Sequence, residues 1–178
     1  LVITIMAIGV AVFNQKPDAL KSNGVTVSDY KNATYNIDGK NIKLANGYAE
    51  EAIPQSSLKV VTQYFGNDLI TDLNGDERDD IVFFVTQQTG GSGTFYYVAA
   101  AINTNNGYIG SDGYFVGDRI APQTINNSQK PEHKNVVVVN YAERKTEEPM
   151  IAQPSISKSV YLKMDENNRW GVVIPDFK

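Results

Sequence analysis

Nine residues between two apolar runs have the types and spacing to hold a cation: Asp72-Leu73-Asn74-Gly75-Asp76-Glu77-Arg78-Asp79-Asp80. Counting Asp72 as position 1, side-chain oxygens fall at positions 3 (Asn74), 5 (Asp76) and 9 (Asp80), and Arg78 at position 7 offers its backbone carbonyl. Calcium takes six to eight oxygens, and alternate residues of a tightly wound loop can turn several toward one centre. Gly75 supplies backbone freedom between ligands. We therefore expect Asp72, Asn74, Asp76, Arg78 and Asp80 to bind one Ca2+. The plain alternative is a solvated acidic turn, with Asp79 or Asp80 paired to Arg78 or a lysine. Four oxygen side chains at ligand spacing exceed what a turn requires.

The stretch resembles the calcium loops of FG-GAP and VCBS repeats, in which Asp-x-Asn-x-Asp-x-x-x-Asp precedes an apolar strand; Asp72, Asn74, Asp76, Asp80 and Ile81 fit that pattern. Position 6 is Glu77, where the EF-hand loop has glycine, and position 12 is Phe83 rather than a bidentate glutamate. The strand-entering loop fits and the EF-hand does not. The resemblance implies a local site whose ion organises oxygens, because no nucleophile with a base lies near it in sequence.

Other residues with chemical potential have simpler readings. Thr89-Gly90-Gly91-Ser92-Gly93 would cradle a phosphate only ahead of a helix, and a strand is expected to follow it. His133, the one histidine, sits in the polar stretch Gln129 to Lys134 without a nucleophile-elbow sequence, which favours a solvated loop residue. Glu143, Glu147 and Glu148 could supply a glycosidase-type carboxylate pair, but Arg144 and Lys145 offer ion pairing instead. Asp118-Arg119 reads as an ion pair fixing a long loop, with a ligand-binding arginine as the minority reading. The ten tyrosines fit sheet faces or an interaction surface without identifying a sugar site.

The elements that must position these residues are strands. At 178 residues with 42% hydrophobic and 20% charged, the chain is long and apolar enough for one real core. Asp38-Gly39 and Asn46-Gly47 mark tight hairpin turns between 35–37, 42–44 and 48–50, giving a small meander. Leu58–Phe65, Ile81–Thr86, Thr94–Ile102 and Val136–Tyr141 read as strands, and Val160–Met164 with Trp170–Ile174 as a closing hairpin. Asn105-Asn106-Gly107 and Ser111-Asp112-Gly113 read as further turns around Tyr108–Gly110 and before Tyr114–Val116. The expected fold is mainly β: a single antiparallel domain, sandwich or partial barrel, over residues 34–178. The acidic loop occurs once, which argues against a propeller.

Ahead of that domain lie an uncharged apolar segment, 1–13, and a polar stalk, 14–33, within which Val25-Thr26-Val27 reads as a short strand. As a helix, residues 1–13 would span ~20 Å at 1.5 Å per residue, short of the ~30 Å hydrocarbon core. Three readings stay open: a truncated signal anchor in membrane lipid, an assembly segment packed against copies of the same chain in a pilin-like filament, or a core element of the domain itself. The start at Leu1 is read as a processed or truncated beginning.

Net charge is −4 with scattered lysines, so the basic stripe that nucleic acid requires is missing. The chain has no cysteine, which excludes disulfides, thiolate zinc and a cysteine nucleophile. Gly91–Ile102 with Gly117–Thr124, continued by Asn140–Arg144 and Glu148–Met150, resembles an uncharacterised family of bacterial exported or membrane-anchored β-proteins. The resemblance spans residues 30–175 and implies no activity. Together these readings predict a non-enzymatic, extracytoplasmic surface protein with a structural calcium site: a filament (pilus) subunit or a membrane-anchored interaction module with an unidentified ligand. The alternatives are an envelope hydrolase or lyase using acidic residues, and a periplasmic inhibitor presenting its 87–93 loop.

Overall fold

A computed structural model describes residues 29–174. The expectations for residues 1–13 and for Val25–Val27 lie outside the described residues. Twelve strands follow a short 3-10 turn, Tyr30–Asn32: β1 (Thr34–Ile37), β2 (Lys40–Lys43), β3 (Tyr48–Ala52), β4 (Lys59–Thr71), β5 (Asp80–Gln88), β6 (Phe95–Thr104), β7 (Gly107–Gly110), β8 (Tyr114–Asp118), β9 (Ala121–Asn127), β10 (Val136–Glu143), β11 (Ile156–Met164) and β12 (Trp170–Val172). The fold is mainly β, as expected, and its three sheets are antiparallel and unclosed.

The sheets form layers around β5 and β6. The central sheet runs β3-β4-β5-β6-β7, and β8 pairs with the first half of β6 while β7 pairs with the second. A four-stranded sheet, β12-β11-β10-β9, covers one face, and the β1-β2 hairpin covers the other. Strand alternation divides the apolar residues between two cores. Val82, Phe84, Val98, Ala100 and Ile102 meet Ile125, Val137, Val139 and Leu162 on one side. Phe83, Val85, Tyr97, Ala99 and Ala101 meet Tyr35, Ile37, Ile42 and Leu44 on the other. This double burial explains why Ile81 to Val85 is an unbroken apolar run and not an alternating one.

Turn chemistry holds the hairpin closed. Asp38 and Gly39 have φ of 52° and 75°, and Asn46 and Gly47 have 52° and 81°, the left-handed pairs that type I′ turns need. The Asn46-Gly47 turn keeps only the Ala45–Tyr48 bridge; the chain then changes sheets, and β3 pairs with β4. The expected meander is thus split between two layers. Tyr30 and Ala33, read from sequence as stalk, pack into the hairpin-side core.

Three departures have local causes. β4 continues past Phe65 to Thr71 through register shifts at Gly66, and Asn67 within that bulge donates to the Gln123 carbonyl of β9 at 2.9 Å. The stretch after Asp118-Arg119 is strand β9 and not a loop; Pro122 is tolerated because β9 is a sheet edge. Ser111-Asp112-Gly113 joins the three sheets. Asn36 of β1 bonds Ser111 and Gly113 (3.1 and 2.7 Å), Ala100 of β6 donates to Ser111 Oγ (2.8 Å), and Trp170 of β12 donates its backbone N–H to Asp112 Oδ1 (3.0 Å).

Candidate metal centre

The acidic loop connects β4 to β5, whose ends pair at Thr71 and Asp80. Leu73, 2% exposed, plugs into the core beside the four-stranded sheet and fixes the loop's base. Positive φ at Gly75 (85°) and Glu77 (65°) curls the chain between them. The curl brings side-chain oxygens of Asp72, Asn74 and Asp76 within hydrogen-bond distance of the loop's own N–H groups.

What those side chains meet is the loop's own backbone. Asp72 Oδ1 accepts the N–H groups of Asn74 (3.2 Å), Gly75 (2.6 Å) and Asp76 (3.3 Å), and Oδ2 accepts that of Glu77 (2.9 Å). Asn74 Oδ1 accepts from Asp76 N–H (3.0 Å), and Asp76 Oδ1 from Arg78 N–H (3.0 Å). Asp76 Oδ2 accepts from Asn74 Nδ2 (3.1 Å) and from the Arg78 guanidinium, Nη2, at 2.5 Å. Arg78 also donates from Nε to the Asn103 carbonyl (2.9 Å), pinning the loop to the end of β6.

Asp80 is fully buried. Its Oδ2 accepts from Leu73 N–H (2.9 Å) and its Oδ1 from Asn103 N–H (2.8 Å). Burial pushes its carboxyl above the ordinary range, the two N–H donors pull against that, and the nearby charges of Asp76 and Asp72 add to the rise. Asp72 goes the opposite way: desolvation opposes its ionisation, but its backbone donors outweigh it and hold the group below its ordinary value.

Among the described residues, no three His, Cys, Asp or Glu side chains are gathered as a metal-holding group. The three carboxylates of the expected set, Asp72, Asp76 and Asp80, are therefore not gathered as such a group; the other two expected ligands, Asn74 and the Arg78 carbonyl, are of other types. From sequence Arg78 offers the ion its carbonyl or, in the acidic-turn alternative, pairs with Asp79 or Asp80; its guanidinium pairs instead with Asp76.

The other candidates resolve into structural pairs. His133 Nδ1 lies 2.9 Å from Ser128 Oγ, closing the β9–β10 turn. Asp118 and Arg119 pair at 2.5 Å at the β8–β9 turn, and Asp118 Oδ1 accepts the Thr94 N–H (3.0 Å). Glu143 pairs with Lys158 (3.2 Å) and Glu148 with Lys145 (3.8 Å). Asp112 and Asp165 line one cleft with Arg169 and Trp170, a juxtaposition that local motifs did not signal. Comparison with protein-family models, curated proteins and solved structures gave no match.

Proposed function

We propose that the chain is a non-enzymatic extracytoplasmic module, held at a surface by residues 1–13 in a bilayer or in a filament of its own copies, and braced by calcium at Asp72–Asp80. The observation that supports the calcium reading is that Asp72, Asn74 and Asp76, at alternate positions, present side-chain oxygens to the N–H groups of one curled loop rooted by buried Leu73 and Asp80. An ion there would exchange the loop's N–H donors and Arg78 for a stronger positive centre. It would lock the β4–β5 connection to β6.

The test is thermal unfolding of the full chain in excess Ca2+ and in EGTA. Calcium at a hundred times its dissociation constant should raise Tm by roughly 5–10 °C, and Asp72→Ala with Asp76→Ala should abolish the rise. Equal melting in both buffers would leave a self-satisfied acidic turn. The surface reading has its own readout: deleting residues 1–13 should abolish membrane retention or polymerisation and leave the β domain folded.

A hydrolase reading has one observation behind it. Asp112 is pushed up in pKa by burial, and Asp165, in the same cleft, is held down chiefly by the Arg169 backbone N–H. Groups pushed apart in this way can divide acid and base roles. Both carboxylates are nevertheless committed to backbone donors, Asp112 to Trp170 and Asp165 to Asn167 and Arg169 of its hairpin turn. We assign them to holding β11 and β12.

A further inference from the structure

The central sheet is longer than the hairpin that covers it. On the hairpin-facing side, β1 and β2 cover Phe83, Val85, Ala99 and Ala101. Farther along, the same face borders a cleft of about 430 Å³, within the ~300–1,000 Å³ of small-ligand sites, with Phe115 exposed at its edge and Tyr97 and Gln87 buried at its base. It is lined by Asp38, Gln87, Thr89, Phe95, Tyr97 and Phe115. Strand register puts the side chains from β5, β6 and β8 together: Gln87 is opposite Phe95, and Tyr97 is opposite Phe115.

The walls are aromatic. Phe115, 52% exposed, sits between two rings, 5.4 Å from Tyr97 and 6.4 Å from Phe95 between centroids, at interplanar angles of 58° and 48°. The polar groups beside them can accept. Asp38 stands at the hairpin tip and forms no ion pair among the described residues. Burial, and after it the Asp38 charge, raises the pKa of the Tyr97 hydroxyl, so the carboxylate acts on the aromatic wall. Gln87 is 5% exposed; one end of its amide is engaged by Thr62 Oγ1 (3.2 Å), and the other end has no hydrogen-bond partner among the described residues. No Lys or Arg lines the cleft.

A ring face attracts a cation through its quadrupole, and the attraction grows when the cation is partly desolvated. A carboxylate beside such rings adds charge complementarity, and an amide with a free end adds a directed polar contact. We propose that this cleft binds an organic cation, an alkylammonium or guanidinium group, with Phe115 and Tyr97 as the cation–π walls and Asp38 as its counter-charge. The assignment is independent of the calcium loop, which lies in the connection at the other end of β5.

The test is a titration of the full chain in non-ionic detergent with choline chloride, followed by NMR on the Gln87 side-chain amide and the Phe115 backbone amide. The comparison probes are 3,3-dimethyl-1-butanol, which has choline's shape without its charge, glucose as a neutral sugar, and NaCl at matched ionic strength. Choline should shift both signals along one saturating curve, with the neutral isostere weaker by about tenfold. Asp38→Asn, which suits the same left-handed turn position, and Phe115→Leu, which keeps the apolar bulk, should each weaken choline several-fold with the remaining spectrum unchanged. Absence of a saturating shift, equal binding of the isostere, or preference for glucose would overturn the proposal.

Discussion

Asp80 Oδ1 accepts the backbone N–H of Asn103 at 2.8 Å, and its second oxygen accepts that of Leu73 at 2.9 Å. One buried carboxylate therefore ties the first residue of β5 both to β6 and to its own incoming loop. Both oxygens must be acceptors. Asp80→Asn turns an amide donor toward one N–H and should cost about 1–3 kcal/mol in urea unfolding. Asp80→Ala, which orphans both donors, should cost more. An Asp80→Asn chain as stable as the parent would show that the two-acceptor geometry is dispensable.

The same loop predicts opposing pH dependences. Asp72 is more acidic folded than unfolded, so its contribution is full above the unfolded value of about pH 4 and is lost as pH falls through the lower folded value. Asp80 is less acidic folded, so its contribution is full below its unfolded value and is lost as pH rises through the raised one. In calcium-free unfolding series, Asp72→Asn should lessen the loss of stability on the acid side. Asp80→Asn should lessen the decline above it, even though that variant is weaker throughout. Curves parallel to the parent for both variants would contradict these assignments.

The sequence disclosed what local chemistry determines. Asp38-Gly39 and Asn46-Gly47 announced their turns because few other pairs accept two positive φ angles in succession, and Val136 to Tyr141 announced β10 by its β-branched run. Edge strand β9 was hidden, since only Ile125 of it is well buried and Pro122 argues against a strand unless the edge is known. The strand expected to end at Phe65 runs on to Thr71 through a bulge at Gly66, an extension set by pairing with β5 and contact with β9. In the acidic loop, spacing singled out Asp72, Asn74 and Asp76, whose side-chain oxygens accept the loop's own backbone N–H groups. It did not reveal the Asn103 N–H or the Arg78 contact with the Asn103 carbonyl, because both depend on where β6 ends.

Close approach of two layers gives a third test. A Cβ on Gly110 of β7 would stand 2.1 Å from the Thr34 carbonyl oxygen of β1 and 2.7 Å from the Tyr35 ring. Backbone cannot yield there as a flexible side chain would. Gly110→Ala should lever the β1-β2 hairpin away from the central sheet and cost about 1–3 kcal/mol or more, with faster amide exchange at Asn36 and Gly113. Unchanged exchange at those two amides would mean the layers do not meet as closely as described.

Arg78 separates the two readings of the loop most directly. Its guanidinium neutralises Asp76 from within, at 2.5 Å, and is itself 41% exposed in its side chain. A surface-accessible pair of this kind contributes little on its own, about 0–1 kcal/mol. Its competition with a metal for Asp76 is a different matter. In the calcium reading Arg78 gives the ion only its carbonyl, which Arg78→Gln keeps. That variant should be slightly less stable in EGTA, yet gain more from saturating calcium than the parent, because Asp76 no longer has to leave a cation to bind one. If the loop is only a self-braced turn, Arg78→Gln lowers Tm equally with and without calcium. A calcium-dependent rise in Tm that Arg78→Gln leaves unenlarged would place the ion away from Asp76, and the ligand set would then have to be redrawn.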